Sequence, residues 1–290
     1  MFLRIVAVIF PIFAVVALGY WYGRVKKPDM KFANQLNMEI FVPALVFSAL
    51  ASKSFNIEAY WLLAVGGVIV ILGSGLLAWP LARLLGIDSR VFVPPMMFNN
   101  CGNMGLPLAI LAFGEQALPA AVMLFLVGNT LHYSLGTWMM SPNARIWTLW
   151  KEPVIAASLV GLMISVLGIQ VWEPLYFAID MTGDVSIPLL LFALGVRLTQ
   201  ADFSDVKLGL IGGVVCPVSG LIFAALCVWL LPLSPEHADM LVVFGALPPA
   251  VLGFVFAEKY GLQPHRVASL VMVGNLMSLV FVSMALAFVL

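Results

Sequence analysis

Ten apolar segments of about 20 residues each run along this 290-residue chain, with only short connections between them. Hydrophobic residues make up 63% of the sequence and charged residues only 10%, whereas soluble domains carry roughly 25% charged residues. Because an apolar segment of this length spans a bilayer as a helix, the sequence predicts an all-α polytopic membrane protein. The ten predicted transmembrane helices cover residues 3–22, 32–51, 60–82, 91–113, 117–140, 153–171, 174–198, 208–231, 238–257 and 267–290.

Lysine and arginine are divided unevenly between the two ends of the predicted spans. Twelve of the 14 lie after odd-numbered spans, and only Arg4 and Lys53 lie at the opposite ends. Since Lys and Arg are enriched in cytoplasmic loops, we expect the odd-numbered loops in the cytoplasm and both termini outside, which means periplasmic in a bacterial inner membrane. The twelve are Arg24, Lys26, Lys27, Lys31, Arg83, Arg90, Arg145, Lys151, Arg197, Lys207, Lys259 and Arg266.

Two pairs of segments repeat at a distance of half the chain. The first pair is LFLVGNTLHYSLGTWMM (124–140) and LVMVGNLMSLVFVSMAL (270–286), with an offset of 270 − 124 = 146. The second pair is VPALVFSALASKSF (42–55) and IPLLLFALGVRLTQ (187–200), with an offset of 187 − 42 = 145. Each half therefore carries five spans, and an odd number inverts the second half. The sequence predicts two inverted five-helix repeats, 1–145 and 146–290, which are typical of secondary transporters.

Span 4 contains groups that are costly inside a membrane. Its segment FNNCGNMGLPLA (98–109) carries three amides, at Asn99, Asn100 and Asn103, together with the helix breaker Pro107. Asparagine side chains can donate and accept hydrogen bonds while they stay neutral. These residues are therefore candidates for a substrate site.

Span 9, the partner of span 4 in the repeat, is interrupted as well. Its segment GALPPAVLGFVFAEKYG (245–261) places Pro248, Pro249 and Gly253 in an apolar run. Breaks expose backbone groups that are costly in lipid unless they line a cavity. We therefore expect broken crossover helices 4 and 9 to meet near mid-membrane, with their positive helix N-termini at one substrate site. The alternative is that Pro107 only kinks span 4 while the amides bond to neighbouring helices.

Three polar residues follow the broken helices. Asn129 and Asn275 are equivalent in the repeat, and they steady the crossing, contribute to an ion site or make interhelical hydrogen bonds. His132 either couples transport to protons or is a buried neutral histidine. Arg197, at the end of span 7, is expected to extend to the interface. A bound carboxylate would then depend on neutral donors and helix N-termini alone.

The residues of spans 2, 4 and 9 resemble the auxin efflux carrier family, which includes the plant PIN carriers and bacterial members. NCGNMGLPL (100–108) looks like the span-4 motif of that family, and the resemblance puts Asn100 on its substrate-contacting asparagine. ALPPAVLGFVFAEKYG is similar to its span 9, with Gly253 in place of the crossover proline. FVPALVF in span 2 puts Val42 and Pro43 on the cavity wall. In span 6 the family has a second substrate-contacting asparagine where this chain has Val154, which weakens the case for indole-acetate itself as substrate.

The resemblance implies a fold similar to bile acid:sodium symporters and sodium/proton antiporters. It divides the chain into a scaffold, residues 1–56 and 152–203, and a transport (crossover) domain, residues 58–140 and 205–290. It implies elevator-type transport of a small organic anion, a mono- or dicarboxylate such as malonate, malate or an auxin. Proton or sodium coupling, as in a symporter of the bile-acid type, and a homodimer are left open.

Other classes of function find little in the sequence. There is no metal-ligand cluster, phosphate-binding loop or nucleophile–base pair. We therefore expect no cofactor, no metal, no nucleic-acid partner and no enzymatic activity. A channel and an intramembrane enzyme are the less favoured alternatives.

Overall fold

A computed structural model describes residues 2–52, 55, 57–141, 152–199 and 205–290, and nearly all of these are helical. Within these ranges, short π-helical and 3-10 segments continue some of the α-helices, and the chain forms no strand. The α-helices are α1 (Phe2–Lys26), α2 (Lys31–Leu36), α3 (Val42–Leu50), α4 (Ile57–Leu84), α5 (Ser89–Met97), α6 (Leu106–Phe113), α7 (Leu118–Leu131), α8 (Thr137–Met140), α9 (Pro153–Leu167), α10 (Glu173–Asp184), α11 (Ser186–Leu198), α12 (Val206–Leu230), α13 (Pro235–Gly245), α14 (Val251–Tyr260) and α15 (Pro264–Val289).

Among the described residues, six helical segments are long and apolar enough to cross a membrane. They coincide with predicted spans 1, 3, 5, 7, 8 and 10, so the prediction of an all-helical, multi-pass membrane protein is confirmed. Two shorter apolar helices, Cys101–Phe113 and Pro153–Leu167, fall in predicted spans 4 and 6. The count of ten spans and the inverted repeat stay predictions. The six segments are Leu3–Lys26, Ile57–Leu84, Glu115–Met140, Glu173–Leu198, Val206–Leu230 and Pro264–Val289.

Helices α1 and α11 pack with their backbones in contact. A Cβ atom at Gly195 of α11 would overlap the carbonyl oxygen of Val16, and one at Gly19 of α1 would overlap the carbonyl oxygen of Phe192. Small residues allow this approach, which in membranes replaces the hydrophobic effect as a source of helix association. The contact fixes the orientation of α11 against α1.

The helices of predicted spans 4 and 9 are both interrupted, and the interruptions pair with each other. α5 gives way to non-helical backbone at 98–100, and α13 gives way to it at 246–250. The N–H of Asn100 donates to the carbonyl of Pro248 (2.7 Å), and the N–H of Ala250 donates to the carbonyl of Phe98 (2.9 Å). These two bonds form an isolated antiparallel bridge between Asn99 and Pro249. The crossing thus satisfies backbone groups that lipid would leave unpaired.

The breaks do not lie at two of the residues that the sequence suggested. Pro107 stands in the first turn of α6, which continues the π-helical turn Cys101–Gly105, and the helix runs through it to Phe113. Gly253 lies inside α14, and its N–H donates to the carbonyl of Ala250 (3.1 Å). Both residues therefore lie within the helices that follow the crossing and do not interrupt them.

Helix α5, which leads into the crossing, begins at a capped end outside the predicted spans. The Asp88 carboxylate accepts the backbone N–H of Arg90 (2.9 Å) and forms an ion pair with its guanidinium (2.8 Å). Hydrogen bonding to this side chain lowers the pKa of Asp88 from its ordinary value. The cap satisfies one of the N–H groups that every helix N-terminus leaves free.

Candidate functional site

A cavity of about 520 Å³ lies beside the crossing. One side is formed by α2, the turn that follows it, α3 and α11, and the other by the crossing, α7, the turn after α7 and α14. The apolar part of the lining includes Met38, Val42, Phe98, Phe125, Leu190, Ala193, Leu194, Val251, Leu252 and Val255. The polar part is Lys31, Asn34, Gln35, Asn37, Asn99, Asn100, Asn103, Asn129, His132, Tyr133 and Arg197.

The structure brings together half of the residues proposed from the sequence to bind substrate. Those that line the cavity are Asn99, Asn100, Asn103 and Val42. The others, which are not part of the lining, are Pro43, Pro107, Pro248 and Gly253. Pro248 supports the site through its carbonyl group at the crossing. Val154, which replaces an asparagine of the resembling family, is buried away from the cavity.

Two helices begin at the cavity with free backbone donors. After the crossing, a π-helical turn (Cys101–Gly105) leads into α6, and α14 begins at Val251. Neither N-cap residue supplies a side-chain hydrogen bond. Within the described part of the chain, the N–H groups of Asn103, Val251 and Leu252 have no hydrogen-bond acceptor, and all three residues line the cavity. Such N-termini carry partial positive charge and favour anions.

The two asparagines at the crossing are each tied down by one bond. Asn99 Nδ2 donates to the carbonyl of Phe244 (2.5 Å), while its buried Oδ1 has no partner among the described residues. Asn100 Nδ2 donates to Oδ1 of Asn275 (2.8 Å). An amide nitrogen carries two hydrogens, so Asn100 keeps one donor for a ligand in the cavity.

Asn275 and Asn129, equivalent in the predicted repeat, differ in their bonding. Asn275 Nδ2 donates to the carbonyls of Pro249 (3.0 Å) and Val271 (2.8 Å), and its Oδ1 accepts from Asn100. Both of its amide hydrogens are thus in use, and Asn275 does not line the cavity. Asn129 lines the cavity, and its amide makes no hydrogen bond in the described part of the chain. Asn275 therefore holds the crossing together, whereas Asn129 is free to bind a ligand.

His132 stands against the crossing between two aromatic rings. Its imidazole stacks on Phe98 with centroids 4.2 Å apart and meets the edge of Phe256 at 5.2 Å. The side chain is 3% exposed, and its Nε2 has no partner within the described residues. This position is compatible with both roles proposed from the sequence, that of a proton-coupling group and that of a buried neutral histidine.

Three π-helical turns surround the cavity. They cover Asn37–Phe41, Cys101–Gly105 and His132–Gly136, and the first residue of each lines the cavity. Asn37 was not proposed as a binding residue from the sequence. It is only 2% exposed, and its Oδ1 lacks a partner in the described ranges. π-Helical turns are rare and concentrate at functional sites, but they leave no reliable sequence signal.

The expectation of a cavity without cations is wrong. Lys31 at the start of α2 and Arg197 in the last turn of α11 both belong to its lining, while no described lining residue is acidic. The sequence places Arg197 near a membrane interface but does not give the rotation of its helix. The Gly195 contact with α1 lies on another face of α11, so Arg197 turns toward the cavity.

Two opposite charges, those of Glu152 and Lys259, lie outside the predicted spans. Burial raises the pKa of the Glu152 carboxyl, and the positive charge of Lys259 opposes this shift. Glu152 itself does not form part of the lining.

Membrane-crossing helices around a cavity lined by apolar side chains, amides and two cations are typical of a multi-pass membrane transport protein. The chain belongs to the membrane transport protein family, that of the auxin efflux carriers, and the family profile matches residues 4–147 and 143–286. The prediction that it resembles this family is confirmed, and so is the prediction of a transporter and not an enzyme.

Several relatives match most of the chain at low identity. The putative malonate transporter of Rhizobium meliloti (strain 1021) is 24% identical over 307 residues, which cover 97% of this chain and 94% of that protein. The uncharacterized transporter MJ1031 of Methanocaldococcus jannaschii is 20% identical over 299 residues, 96% of each chain. Auxin efflux carrier component 6 of Arabidopsis thaliana is 26% identical over 178 residues, 59% of this chain and 29% of that protein.

Proposed function

We propose that this protein is a secondary transporter that carries a small organic anion, a mono- or dicarboxylate, across the inner membrane. The observation that carries the proposal is the pair of helix N-termini with free N–H groups at one cavity. Asn103 supplies a free donor at one N-terminus, and Val251 and Leu252 supply two at the other. Two interrupted helices that meet at a binding site are characteristic of secondary transporters.

An anion is the ligand that these groups favour. Each helix N-terminus acts as roughly half a positive charge, and free N–H groups away from bulk water cost several kcal/mol until a ligand or water binds them. The free amides of Asn103 and Asn129 add neutral donors on the same cavity wall. The described lining has no acidic side chain, which also favours a negatively charged ligand.

The relatives agree with a carboxylate but do not choose between substrates. One is named a putative malonate transporter and another an auxin efflux carrier component. Malonate is a dicarboxylate and auxins are aromatic monocarboxylates, so the shared chemistry is the carboxylate group. We therefore propose a carboxylate as the substrate class, and the transport assay identifies the rest of the molecule.

We further propose that transport occurs by an elevator-type movement of the crossover domain against the scaffold. The cavity lies between the two parts proposed from the family resemblance: α2, α3 and α11 belong to the scaffold, while the crossing, α7 and α14 belong to the transport domain. Lys31 and Arg197, which lie at predicted cytoplasmic ends of spans, are part of the lining. The conformation is accordingly assigned as facing the cytoplasm.

The main test is uptake into proteoliposomes that contain the purified protein. Labelled malonate and labelled indole-acetate are supplied outside, with and without unlabelled anion inside. A carrier gives saturable uptake that internal anion accelerates, and protein-free liposomes give the background. Imposed proton and sodium gradients then identify a coupling ion. Uptake that never saturates and shows no exchange would indicate a channel, and chemical change of the label would indicate an enzyme.

The elevator movement has a test of its own. Val42 of α3 and the native Cys101 of the crossing both line the cavity, one from each proposed domain. In Val42→Cys, a reducible bifunctional thiol reagent should link the two residues and stop transport until the link is reduced. The single variant without reagent controls for the substitution. Full transport with the link confirmed by mass spectrometry would refute the moving domain and leave the binding site standing.

A further inference from the structure

Arg197 is a cation without a counter-charge at its side chain. It lines the cavity from the last turn of α11 and is partly buried. In the part of the chain that the structure describes, its guanidinium forms neither an ion pair nor a hydrogen bond. Glu258 of α14 attracts it electrostatically, but only from beyond ion-pair distance. A partly buried charge of this kind is costly until a ligand or partner neutralises it.

The position of Arg197 is fixed by the packing of its helix. Leu190, Ala193, Leu194 and Arg197 all line the cavity, and their spacing of three, four and seven residues defines one face of α11. The neighbouring Gly195 lies against the backbone of α1, where a Cβ atom would overlap it. Because α11 cannot rotate without breaking this contact, Arg197 is held at the cavity.

The cavity therefore offers two kinds of anion-binding group at different elements. At the crossing, helix N-termini and neutral amides can hold a carboxylate through N–H donors. On α11, a guanidinium presents a planar pair of donors that matches a carboxylate group. Lys31 at the exposed start of α2 adds a second positive charge, and the described lining has no acid to offset either one.

We propose that Arg197 binds the second carboxylate of a dicarboxylate whose first carboxylate is held at the crossing, and that it sets a preference for dianions over monoanions. This inference rests on the proposed function. A monoanion at the crossing leaves Arg197 uncompensated, whereas a dianion neutralises both sites. The class of substrate is thus a dicarboxylate, and Arg197 is the residue that determines its charge selectivity.

The test compares ligand pairs that differ by one charge. Binding of malonate and of its monomethyl ester, and of succinate and its monomethyl ester, is measured by calorimetry on the purified wild-type protein at pH 7. The variants are Arg197→Gln, Arg197→Lys and, as a matched control, Arg83→Gln. Arg83 lies at the end of α4 over the ring of Trp79 and is not part of the cavity lining.

The expected result is that the substitution of Arg197 lowers the binding affinity for dianions only. The wild type should bind at least one diacid about 10-fold or more tighter than its ester, and Arg197→Gln should weaken that diacid by about 10- to 150-fold. Ester affinity should change less than about 2-fold, a difference too small for a lost charged hydrogen bond. Arg197→Lys should restore part of the diacid affinity, and Arg83→Gln should match the wild type.

Contrary results separate the two proposals. If the wild type binds the esters as tightly as the diacids, the role of Arg197 is refuted even if Arg197→Gln fails to fold. Equal weakening of both ligands, or no weakening of the diacid, refutes it as well, while the anion site at the crossing stands. If the wild type binds neither diacids nor esters, the carboxylate function itself fails.

Discussion

Asn275 and Asn129 should respond to the same substitution in opposite ways. They are equivalent in the predicted repeat, but Asn275 makes three side-chain hydrogen bonds and Asn129 makes none within the described residues. Asn275→Ala should therefore reduce the stability of the protein, whereas Asn129→Ala should reduce its affinity for the anion. The pair is a matched comparison because the residue type, the substitution and the burial (4% and 7% exposed) are nearly the same.

The magnitudes follow from the bonds that are lost. Hydrogen bonds between membrane helices contribute about 0.6 kcal/mol on average, and buried bonds in soluble proteins contribute about 0.5–1.5 kcal/mol. Asn275→Ala removes three buried bonds, of which the one to Val271 lies within α15, and leaves Asn100 Nδ2 without its acceptor. We expect a loss of roughly 2–4.5 kcal/mol in the free energy of unfolding. For Asn129→Ala we expect less than about 1 kcal/mol, since no bond is broken.

Two assays on the same purified proteins measure the difference. Unfolding in an SDS titration, followed by tryptophan fluorescence, gives the change in stability. Calorimetric titration with malonate gives the affinity, which Asn129→Ala should weaken by about 10- to 150-fold if it removes one hydrogen bond to a charged ligand.

Equal destabilisation by the two substitutions would refute the division of roles, because it would mean that Asn129 also braces the fold. So would a folded Asn275→Ala protein with the larger loss of affinity. Full affinity in Asn129→Ala would remove Asn129 from the proposed anion site.

Three further predictions use other parts of the molecule. Single cysteines at Ser141 and Leu290 should react oppositely with an impermeant thiol reagent in intact cells, with only Leu290 labelled, and the reverse pattern would overturn the assigned topology. Asn100→Asp should weaken malonate binding in calorimetry more than Asn100→Ala does, because it adds a like charge and sets an oxygen against Oδ1 of Asn275; equal affinities would argue against an anion beside this residue. Asp88→Ala should destabilise the protein by about 0.5–2 kcal/mol at pH 7. Because the pKa of Asp88 is lowered in the folded protein, the stability difference between wild type and variant should be constant above about pH 5 and shrink below about pH 4. A series of thermal unfolding curves measures it. A constant difference down to about pH 2 would exclude the carboxylate as its cause.

The sequence predicted the helical membrane fold because length and apolarity alone decide whether a segment can cross a bilayer. It also located the amides that line the cavity at the crossing. Asn99, Asn100 and Asn103 stood out because an uncompensated amide is costly in an apolar run, and all three line the cavity. The energetic cost of an amide in an apolar segment depends on its sequence neighbours, so a single sequence is enough to reveal it.

The remainder depends on contacts between distant segments. Pro107 and Gly253 look like helix breakers locally, but the bridge between the two halves decides where the helices end, and both residues fall within the helices that follow. Arg197 reaches the cavity because α11 packs against α1. Asn129 and Asn275 occupy like positions in the sequence and acquire different partners only in the folded chain.

The prolines at the crossing also bear on how the chain avoids faulty assembly. Extended backbone with unpaired N–H groups is a template to which another strand can add. Pro248 and Pro249 have no N–H, so the pairing of residues 98–100 with residues 246–250 ends after the single bridge at Asn99 and Pro249. During insertion into the membrane, when the two halves emerge in turn, these prolines deny a foreign strand the donors that it would need. The two prolines therefore limit the crossing to one bridge, and its backbone offers few donors from which a longer and wrongly paired strand could grow.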